Sequence, residues 1–420
     1  MSDSLRAPVT VAARSERAPA YRIAMIHTGD PNDRLHVSGL PFAASAALAR
    51  AGCDVVPIRA SPPTTPKTFV RRRLLAIAGH VLPSRVRELP AHVRGLRVGS
   101  VLQQAHAAAA RVDRALAAIE AERPVDAIVG MCISVPLAYL ATERPIIYAS
   151  DATARIVLRT YPRYRRRPSQ YHAECEECET RALRRASFVA LAAEAATRSA
   201  VEDYGVEPER VSLVPLGCHV VPEPGERIDV EPPTRARTRL LLVASDAERK
   251  RVSLAVRAVE LLRARGIGAE LWHVGAPHSS LSSRAVRSFG PLRLDREADR
   301  AVHRDALRAT HISVLPSVGE AFGIAPAESA HFGRPAIVSD AGGLPTVVRD
   351  GETGIVLPTS AGPAEWARAV ESLVADPARY VRLATEARRR AQLEFTWDRW
   401  AERMLDLVHR AVVARSQESR

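Results

Sequence analysis

Residues 315–358 read LPSVGEAFGIAPAESAHFGRPAIVSDAGGLPTVVRDGETGIVLP, and they are the part of the chain that decides the fold. The stretch opens with an apolar strand that ends at Ser317. A loop with Gly319 and Gly323 follows, and a helix begins near Ile324. A helix that starts directly after glycines has free N–H groups and the positive end of its dipole there. The loop can therefore bind an anion such as a diphosphate.

Two glutamates belong to this strand–loop–helix unit. Glu320 lies in the loop, and Glu328 follows after seven intervening residues, one turn inside the helix. A carboxylate at that second position can accept two hydrogen bonds from a vicinal diol such as a ribose. Taken alone, the pattern also fits a helix with a solvated glutamate on its first turn, and this alternative stays open.

Strand-like and helix-like segments alternate on both sides of the unit, which predicts parallel sheets covered by helices on both faces. After the first strand a Gly-bearing turn leads into a helix over about 38–51, and three helices are predicted at the C-terminal end. The predicted strands are 22–27, 53–58, 127–131, 145–149, 188–191, 211–215, 239–245, 269–275, 311–317 and 335–340, and the last three helices are 363–375, 377–393 and 397–415.

A Pro-rich stretch separates the two series of strands, because proline defeats both a helix and a central strand. A ligand is expected in the cleft between two doubly wound α/β domains. The predicted division is a disordered tail at 1–20, an N-terminal Rossmann-like domain at 21–220, a linker at 221–238, a C-terminal Rossmann-like domain at 239–395, and a last helix in 396–420 that could cross back to the N-terminal domain.

The 420 residues carry a formal net charge of +13. Nucleic acid is not the expected partner, because the arginines are dispersed and few aromatic residues lie among them. Lys67 and Lys250 are the only lysines, and a lysine kept in so arginine-rich a chain is favoured where a compact ammonium is needed. The arginine triplets at 71–73, 165–167 and 388–390 are expected on solvated faces, while the stretch 69–82 could lie against an anionic membrane.

The sequence also excludes several classes of protein. No run of 18 apolar residues occurs, and residues 1–20 lack the apolar core of a secretory signal, so we expect a cytoplasmic protein. The five cysteines are scattered, which is against a disulfide scaffold. Cys175 and Cys178 have the spacing of a zinc pair but lack a second pair, so no metal site is predicted.

The stretch 315–358 resembles the donor-binding signature of glycosyltransferase family 4, the glycosyl transferases group 1, which are retaining enzymes of the GT-B fold. The shared features, in order, are a Pro-Ser strand end, Glu-x-Phe-Gly, a second glutamate, Gly-x-Pro, an aspartate, Gly-Gly-x-Pro and an Asp-Gly-x-x-Gly turn. The resemblance implies that Glu320 contacts the transferred sugar and that Glu328 binds the nucleotide ribose. It also implies that backbone N–H groups hold sugar hydroxyls and diphosphate oxygens, namely those of Phe322, Gly323, Ile324 and Ala325.

The segment LLLVASDAERKRVSLAVRAVELL, residues 240–262, resembles the part of the family that supplies an arginine and a lysine to the donor diphosphate. Lys250 aligns with the lysine. The arginine position is occupied by Ser245, which leaves half of the expected pair of cations unassigned. Arg249 or Arg251 could reach the same oxygens.

Other positions carry a looser resemblance. Phe289 and Gly290 resemble the segment that meets the nucleobase, and Gly39 lies in a loop similar to the one that faces the donor phosphates and the acceptor. Asp151 follows a predicted strand and could orient or deprotonate an acceptor hydroxyl, or it could be the N-cap of the next helix. His219 stands where the family has an aspartate, and we expect it to be an inter-domain loop residue and not a ligand.

The resemblance implies a metal-independent, retaining glycosyltransferase with no cofactor besides its nucleoside-diphosphate sugar, for which UDP is the commonest base. Glu320, Lys250 and Asp151 are its expected catalytic residues. The acceptor is expected to be a small-molecule or natural-product hydroxyl, with a lipid-linked or polysaccharide acceptor as the alternative. A homologue that binds nucleotide sugars without transferring them stays open because Ser245 replaces the arginine, and an epimerase or phosphorylase on the same fold is a further alternative.

Overall fold

The structure, a computed structural model, describes residues 21–29, 33–62 and 100–418. The predicted tail, Lys67, and the stretch 69–82 with its arginine triplet lie outside the described residues, as do residues 30–32 after the first strand. The described residues form two α/β domains, which confirms the predicted fold class.

The N-terminal domain is built on a parallel sheet with the strand order β2-β1-β3-β4-β5-β6. Its interior strands are mostly apolar, as expected for strands buried on both faces, and β3 and β4 are buried throughout. The elements are β1 Arg22–His27, α1 Leu40–Arg50, β2 Asp54–Arg59, α2 Val101–Glu122, β3 Ala127–Met131, β4 Ile146–Ser150, α3 Ala154–Thr160, α4 Pro162–Arg165, α5 Ser169–Arg185, β5 Phe188–Leu191, α6 Glu194–Glu202 and β6 Val211–Leu213.

The C-terminal domain is a second parallel sheet, with the order β12-β11-β10-β7-β8-β9. Its first strand, β7, lies at the centre, so the order is that of the dinucleotide-binding Rossmann fold. The elements are β7 Thr238–Ala244, α7 Val252–Ala264, β8 Ala269–Gly275, β9 Val286–Ser288, α8 Glu297–Ala309, β10 Ile312–Leu315, α9 Ile324–His331, β11 Ala336–Ser339, α10 Leu344–Val347, β12 Gly354–Leu357, α11 Pro363–Ala375, α12 Pro377–Glu394 and α13 Trp397–Glu418.

The predicted strands are all present, with ends shifted by one or two residues, and the last three helices begin where they were predicted. Two strands were not predicted. The edge strand β9 is three residues long and largely exposed, so it has no apolar pattern to read. The strand β12 has four residues directly after a turn, which is too short for periodicity to distinguish it from a loop.

The last helix, α13, packs on the N-terminal domain. It buries one face that includes Trp400, Met404 and Leu407. Its outer residues also reach the N-terminal domain, since Arg50 on α1 lies 2.9 Å from Asp398 and the Tyr21 hydroxyl lies 2.7 Å from His409 Nδ1. Both domains are therefore joined by the linker and by this helix.

One of the arginine triplets is not solvated as expected. Arg390 is buried, and its guanidinium donates to the carbonyl oxygens of Thr346 and Val347 at 2.6 and 2.8 Å. Its charge also lies over the ring of Phe395. The prediction was wrong for Arg390 because α12 turns that side chain toward α10, whose last carbonyls lack helical partners.

Candidate active site

The C-terminal edge of the second sheet contains the topological switch point of the Rossmann order, between β7 and β10. Ligands of open α/β sheets bind in the crevice at such a point. The loop after β7 supplies residues 245–251 and the loop after β10 supplies residues 316–323. Because the two strands are neighbours, the loops meet, and they bring together groups about 70 residues apart in the chain.

Two cations converge on one carboxylate in this crevice. Arg249 Nη1 lies 2.9 Å from Glu320 Oε2, and Lys250 Nζ lies 3.6 Å from the same oxygen. Arg249 also donates to the Gly319 carbonyl at 2.7 Å, and Lys250 donates to the Val243 carbonyl at 3.2 Å. Three of the predicted site residues, Arg249, Lys250 and Glu320, are therefore in contact, with a net local charge of one positive unit.

The structure separates the two arginines that could replace the missing one at Ser245. Arg249 is only 8% exposed and points into the crevice. Arg251 has a left-handed backbone with φ of 47°, caps the start of α7, and donates to the Thr359 carbonyl beyond β12. Arg249 and not Arg251 therefore stands beside Lys250.

Glycines let the loops approach each other so closely. Gly342 has φ of 54°, and a Cβ there would collide with the carbonyl oxygen of Glu320. The neighbouring Gly343 N–H donates to that same carbonyl at 2.9 Å. Gly319 lies against the N-terminal domain, where a Cβ would be 2.8 Å from Thr160 Cβ. The backbone around Glu320 is thus fixed by the Gly-Gly turn on one side and by the other domain on the opposite side.

Helix α9 starts in the crevice directly after Glu320. Gly323 is its N-cap with φ of 110°, and no side chain caps the helix. The N–H groups and dipole of this end, at Ile324 and Ala325, are therefore available to an anion. The Phe322 ring does not take part, since it is buried and packs edge-on against Phe395 at 5.8 Å, so Phe322 can contribute only its backbone.

Glu328 lies one turn inside α9, as predicted, but its carboxylate already has protein partners. Oε1 accepts from the backbone N–H groups of His219 and Val220 at 3.2 and 3.0 Å, and His303 Nε2 lies 3.3 Å from Oε2. The residue is 3% exposed. Burial alone would raise the pKa of Glu328, but His303, the His219 ring and the Val220 N–H group outweigh burial and hold the pKa below its usual value. His219 is an inter-domain loop residue, as expected, and together with Val220 it leads directly into the linker.

Asp151 faces the crevice from the end of β4 in the N-terminal domain. It is not the N-cap of α3, because Thr153 occupies that position, and this alternative was wrong. Burial raises the pKa of Asp151 to about 6, and the nearby Glu320 carboxylate adds to the rise. Cys132, in a left-handed conformation with φ of 53°, places its Sγ 3.9 Å from Asp151 Oδ1.

Gly39 belongs to the other loop that the sequence singled out. It is the last of three consecutive residues with positive φ, after Val37 and Ser38, and it is the N-cap of α1. A Cβ at Gly39 would lie 2.6 Å from the carbonyl of Arg34 and 3.6 Å from the His219 ring. The Gly39 loop therefore lies next to His219, whose backbone N–H group donates to the Glu328 carboxylate.

The predicted nucleobase segment lies at the far side of the second sheet. Phe289 follows β9 and packs on Trp272 with ring centroids 5.3 Å apart, while the Arg287 guanidinium covers both rings. Gly290 has φ of 74°, open space around it, and a carbonyl that accepts from Gly275 N–H at 2.9 Å. The segment is thus tied to the end of β8.

Sequence reasoning missed Tyr161. Its ring lies 4.6 Å from the Arg249 guanidinium, so it covers the cation from the opposite domain. No sequence signal could have revealed it, because Tyr161 follows α3 in a segment that carries no motif. Among the described residues, no three His, Cys, Asp or Glu side chains form a metal-ligand group, and no helix is long and apolar enough to cross a membrane.

A family model described as glycosyl transferases group 1 matches residues 237–376. The D-inositol 3-phosphate glycosyltransferase of Rhodococcus opacus (strain B4) is 31% identical over 236 residues, 51% of this chain and 51% of that protein. The protein of the same name from Kineococcus radiotolerans is 32% identical over 252 residues, 54% of this chain and 57% of that protein. The chain thus spans about half the length of the curated relatives it matches.

Solved structures match over nearly the whole chain. Sucrose-phosphate synthase from Thermosynechococcus elongatus has a TM-score of 0.65 at 17% identity, covering 94% of this chain and 100% of that one. Anabaena HepE in complex with UDP and glucose has a TM-score of 0.58 at 14% identity, covering 93% and 99%. At these identities the likeness shows the fold alone. Residues 237–376 therefore match the glycosyl transferases group 1 family, and the chain as a whole has the GT-B fold.

Proposed function

We propose that the protein is a retaining glycosyltransferase that moves a sugar from a nucleoside-diphosphate sugar to a hydroxyl acceptor. One observation carries the proposal: Arg249 and Lys250 converge on Glu320 at the switch point of the C-terminal domain, beside the uncapped start of α9. A donor diphosphate needs concentrated positive charge, and the two cations and the helix end supply it.

The donor lies in the C-terminal domain. Its diphosphate meets Lys250 and Arg249, and its base lies toward Phe289 and Gly290. Glu328 is available to the ribose only after its linker contacts rearrange, because its carboxylate is already partnered. UDP is the proposed base, supported by the family and by the HepE structure, which contains UDP.

In the reaction the acceptor oxygen bonds to the anomeric carbon on the face from which the diphosphate departs. The bond between that carbon and the phosphate oxygen breaks, and the leaving oxygen takes the electron pair. Lys250, Arg249 and the N–H groups of α9 stabilise the charge that develops there, so we propose catalysis without a metal ion. The acceptor proton goes to Asp151 or to the departing diphosphate, and Glu320 contacts the transferred sugar.

The acceptor binds in the N-terminal domain, on the Asp151 side of the cleft. We propose a small hydroxyl compound, in keeping with the curated relatives, which are named for glycosyl transfer to an inositol phosphate. A lipid-linked or polysaccharide acceptor is the other outcome that an acceptor screen would reveal.

The test is a mass-spectrometric screen of UDP-, GDP-, dTDP- and ADP-sugars for transfer and hydrolysis. Glu320→Ala should lower turnover at least tenfold, because the proposed contact with the transferred sugar is lost. It should not lower the affinity for the nucleoside diphosphate, because Arg249 and Lys250 remain to bind it. Binding of nucleotide sugars with neither transfer nor hydrolysis would establish the non-catalytic homologue instead. Equal losses of turnover and nucleotide affinity would place Glu320 at the nucleotide.

A further inference from the structure

Tyr161 is the point at which the N-terminal domain touches the charged cluster of the C-terminal domain. It lies between α3 and α4, and its ring covers the Arg249 guanidinium at 4.6 Å. The preceding Thr160 lies against Gly319, where no side chain would fit. The contact is therefore built from both sides, by a glycine on one domain and an aromatic residue on the other.

The surroundings of Arg249 show what the ring contributes. In its own domain Arg249 is held at one edge by the Gly319 carbonyl and the Glu320 carboxylate, at 2.7 and 2.9 Å, and Asp246 Oδ2 lies 3.5 Å from its Nε. The Nε–H group is buried and has no hydrogen bond among the described residues. The Tyr161 ring of the opposite domain covers the guanidinium, with its centre 4.6 Å from Arg249 Cζ. Polar groups thus hold the cation from its own domain, and Tyr161 limits its position from the other domain.

The Tyr161 phenol is neutral, which suits a group that covers the Arg249 guanidinium. Burial raises the pKa of Tyr161, and the Glu320 carboxylate raises it further, although Arg249 opposes them. The phenol therefore stays neutral at physiological pH. It covers the cation without pairing with it, so the positive charge of Arg249 is not cancelled by a phenolate.

We propose that Tyr161 is a positioning residue for the donor diphosphate: its ring holds the Arg249 guanidinium where it can receive the phosphate oxygens, so the donor site is complete only when both domains are together. The inference rests on the proposed function, because it concerns the same donor. The inference also accounts for the arginine that is missing at Ser245. Its place is taken by Arg249 of the C-terminal domain, which is held by Tyr161 of the N-terminal domain.

The alternative is that Tyr161 only joins the domains. Other contacts already do so: Arg166 pairs with Glu248 at 2.6 Å, and the Glu194 N–H donates to Thr346 Oγ1 at 2.9 Å. A residue that merely joins domains would contribute the same whether or not Arg249 is present. A positioning residue would contribute only through Arg249, and this difference can be measured.

The experiment compares Tyr161→Leu, which removes the ring, with Tyr161→Phe, which keeps it. The control is Tyr164→Leu, which removes the neighbouring ring. The Tyr164 ring lies 6.4 Å from that of Tyr161 and has Arg163, not Arg249, over it at 4.6 Å. Each change is made in the wild-type and the Arg249→Ala backgrounds. Turnover and KM for the donor, UDP affinity by calorimetry, and melting temperature are measured for every variant.

Tyr161→Leu should lower the donor kcat/KM and the UDP affinity about tenfold, the effect of one desolvated cation–π contact. Tyr161→Phe should stay within about threefold of the wild type, and Tyr164→Leu should match it. In the Arg249→Ala background the loss from Tyr161→Leu should disappear, because there is no cation left to hold.

Three results would overturn the inference: an undiminished loss in the Arg249→Ala background, an equal loss for Tyr161→Phe and Tyr161→Leu, or an equal loss for Tyr164→Leu. Failure of the proposed function looks different, since the wild type would then neither transfer nor hydrolyse any nucleotide sugar. In that case the affinities for the nucleoside diphosphate alone decide the inference by the same comparison. A wild type that binds none of UDP, GDP, dTDP and ADP overturns both.

Discussion

The chemistry of the proposed site depends on three charged side chains that share a small, largely buried volume. Arg249 and Lys250 surround one oxygen of Glu320, and each also donates to a backbone carbonyl. Burying charge is costly unless it is paired, so Glu320 holds the two cations together when no donor is bound. In the proposed function, a donor diphosphate, with more than one negative charge, would complete the pairing and leave Glu320 free for the sugar.

The two cations should act as one unit. Lys250→Ala should lower turnover about a hundredfold, since one preorganised cation at a developing negative charge contributes about 3 kcal/mol. Arg249→Ala should cost a similar amount, and the double change should cost less than the sum because both cations act on the same oxygens. Steady-state transfer assays would measure the three effects.

Neighbouring positions supply the controls. Arg251→Ala should change turnover little, because its guanidinium is directed to the Thr359 carbonyl. Ser245→Arg should help little when Arg249 already holds the position, whereas in a decayed binding protein it would restore transfer. Full activity in Lys250→Ala would contradict the proposed mechanism.

Asp151 should make transfer pH-dependent. Its pKa is raised to about 6 by burial and by Glu320, so the carboxylate is mostly ionised at pH 7.5 and mostly protonated at pH 5. Only the ionised form can accept the acceptor proton, so kcat should fall about tenfold as the pH drops from about 7 to about 5. Asp151→Asn should be slow at both pH values and should lack this acid limb, and an unchanged pH profile in the variant would assign the limb to another group.

At the scale of elements, the site is positioned by loops that are forced into contact, and not by long helices. The Gly-Gly turn after β11 crosses the loop after β10, so that the Gly343 N–H binds the Glu320 carbonyl. Helix α9, only eight residues long, then starts at the crevice. A side chain in this crossing would separate the two loops and move Glu320.

Gly342→Ala tests this crossing. Both Gly342 and Gly351 have positive φ, so alanine at either should cost about 1 kcal/mol of unfolding free energy for its backbone alone. Around Gly351 there is open space, whereas a Cβ at Gly342 meets the Glu320 carbonyl. Gly342→Ala should therefore cost several kcal/mol more than Gly351→Ala in urea unfolding, with loss of turnover, and equal costs would refute the tight crossing.

At the scale of the whole molecule, the two domains are joined by the linker, by α13 and by side chains across the cleft. The Cys218 N–H donates to the Phe395 carbonyl at 3.1 Å, and a Cβ at Gly217 would collide with the backbone of Trp397. The next two N–H groups bind Glu328 of α9. The residue expected to bind ribose thus also anchors the chain where it passes from one domain to the other.

Glu328→Ala should show both roles. It leaves two buried N–H groups without an acceptor, which should lower the free energy of unfolding by about 1 to 3 kcal/mol. If the carboxylate also binds the ribose, UDP affinity should fall by about 2 to 3 kcal/mol, because both hydrogen bonds are charge-assisted. The two effects are measured by urea unfolding and, well below the melting temperature, by calorimetry.

The comparison with 2′-deoxy-UDP separates the roles. The wild type should prefer UDP over its deoxy analogue, and Glu328→Ala should lose much of that preference. A variant that keeps the full preference would show that Glu328 serves the linker and not the ribose. His303, which lies 3.3 Å from the other carboxylate oxygen, would then be its main partner besides the linker.

Local patterns were sufficient to predict most of the elements. Apolar runs between glycines and prolines marked the strands, and periodicity placed the starts of α11, α12 and α13, because both signals depend on residues within a few positions of each other. The order of features in 315–358 was enough to predict the match to the glycosyl transferases group 1 family and, through it, the GT-B fold. Glu320 and Lys250 were predicted as site residues in the same way.

Contacts between distant segments were decided only by the tertiary structure. Whether Arg249 or Arg251 stands beside Lys250 depends on the left-handed turn at Arg251 and on a carbonyl more than a hundred residues away. Tyr161 covers Arg249 from the other domain, and Glu328 binds the backbone N–H group of Val220 just before the linker. Both contacts join different domains. Such pairs have no characteristic spacing in the sequence. They depend on how the two domains pack across the cleft, and the periodicity of each domain's own strands and helices does not reveal that packing.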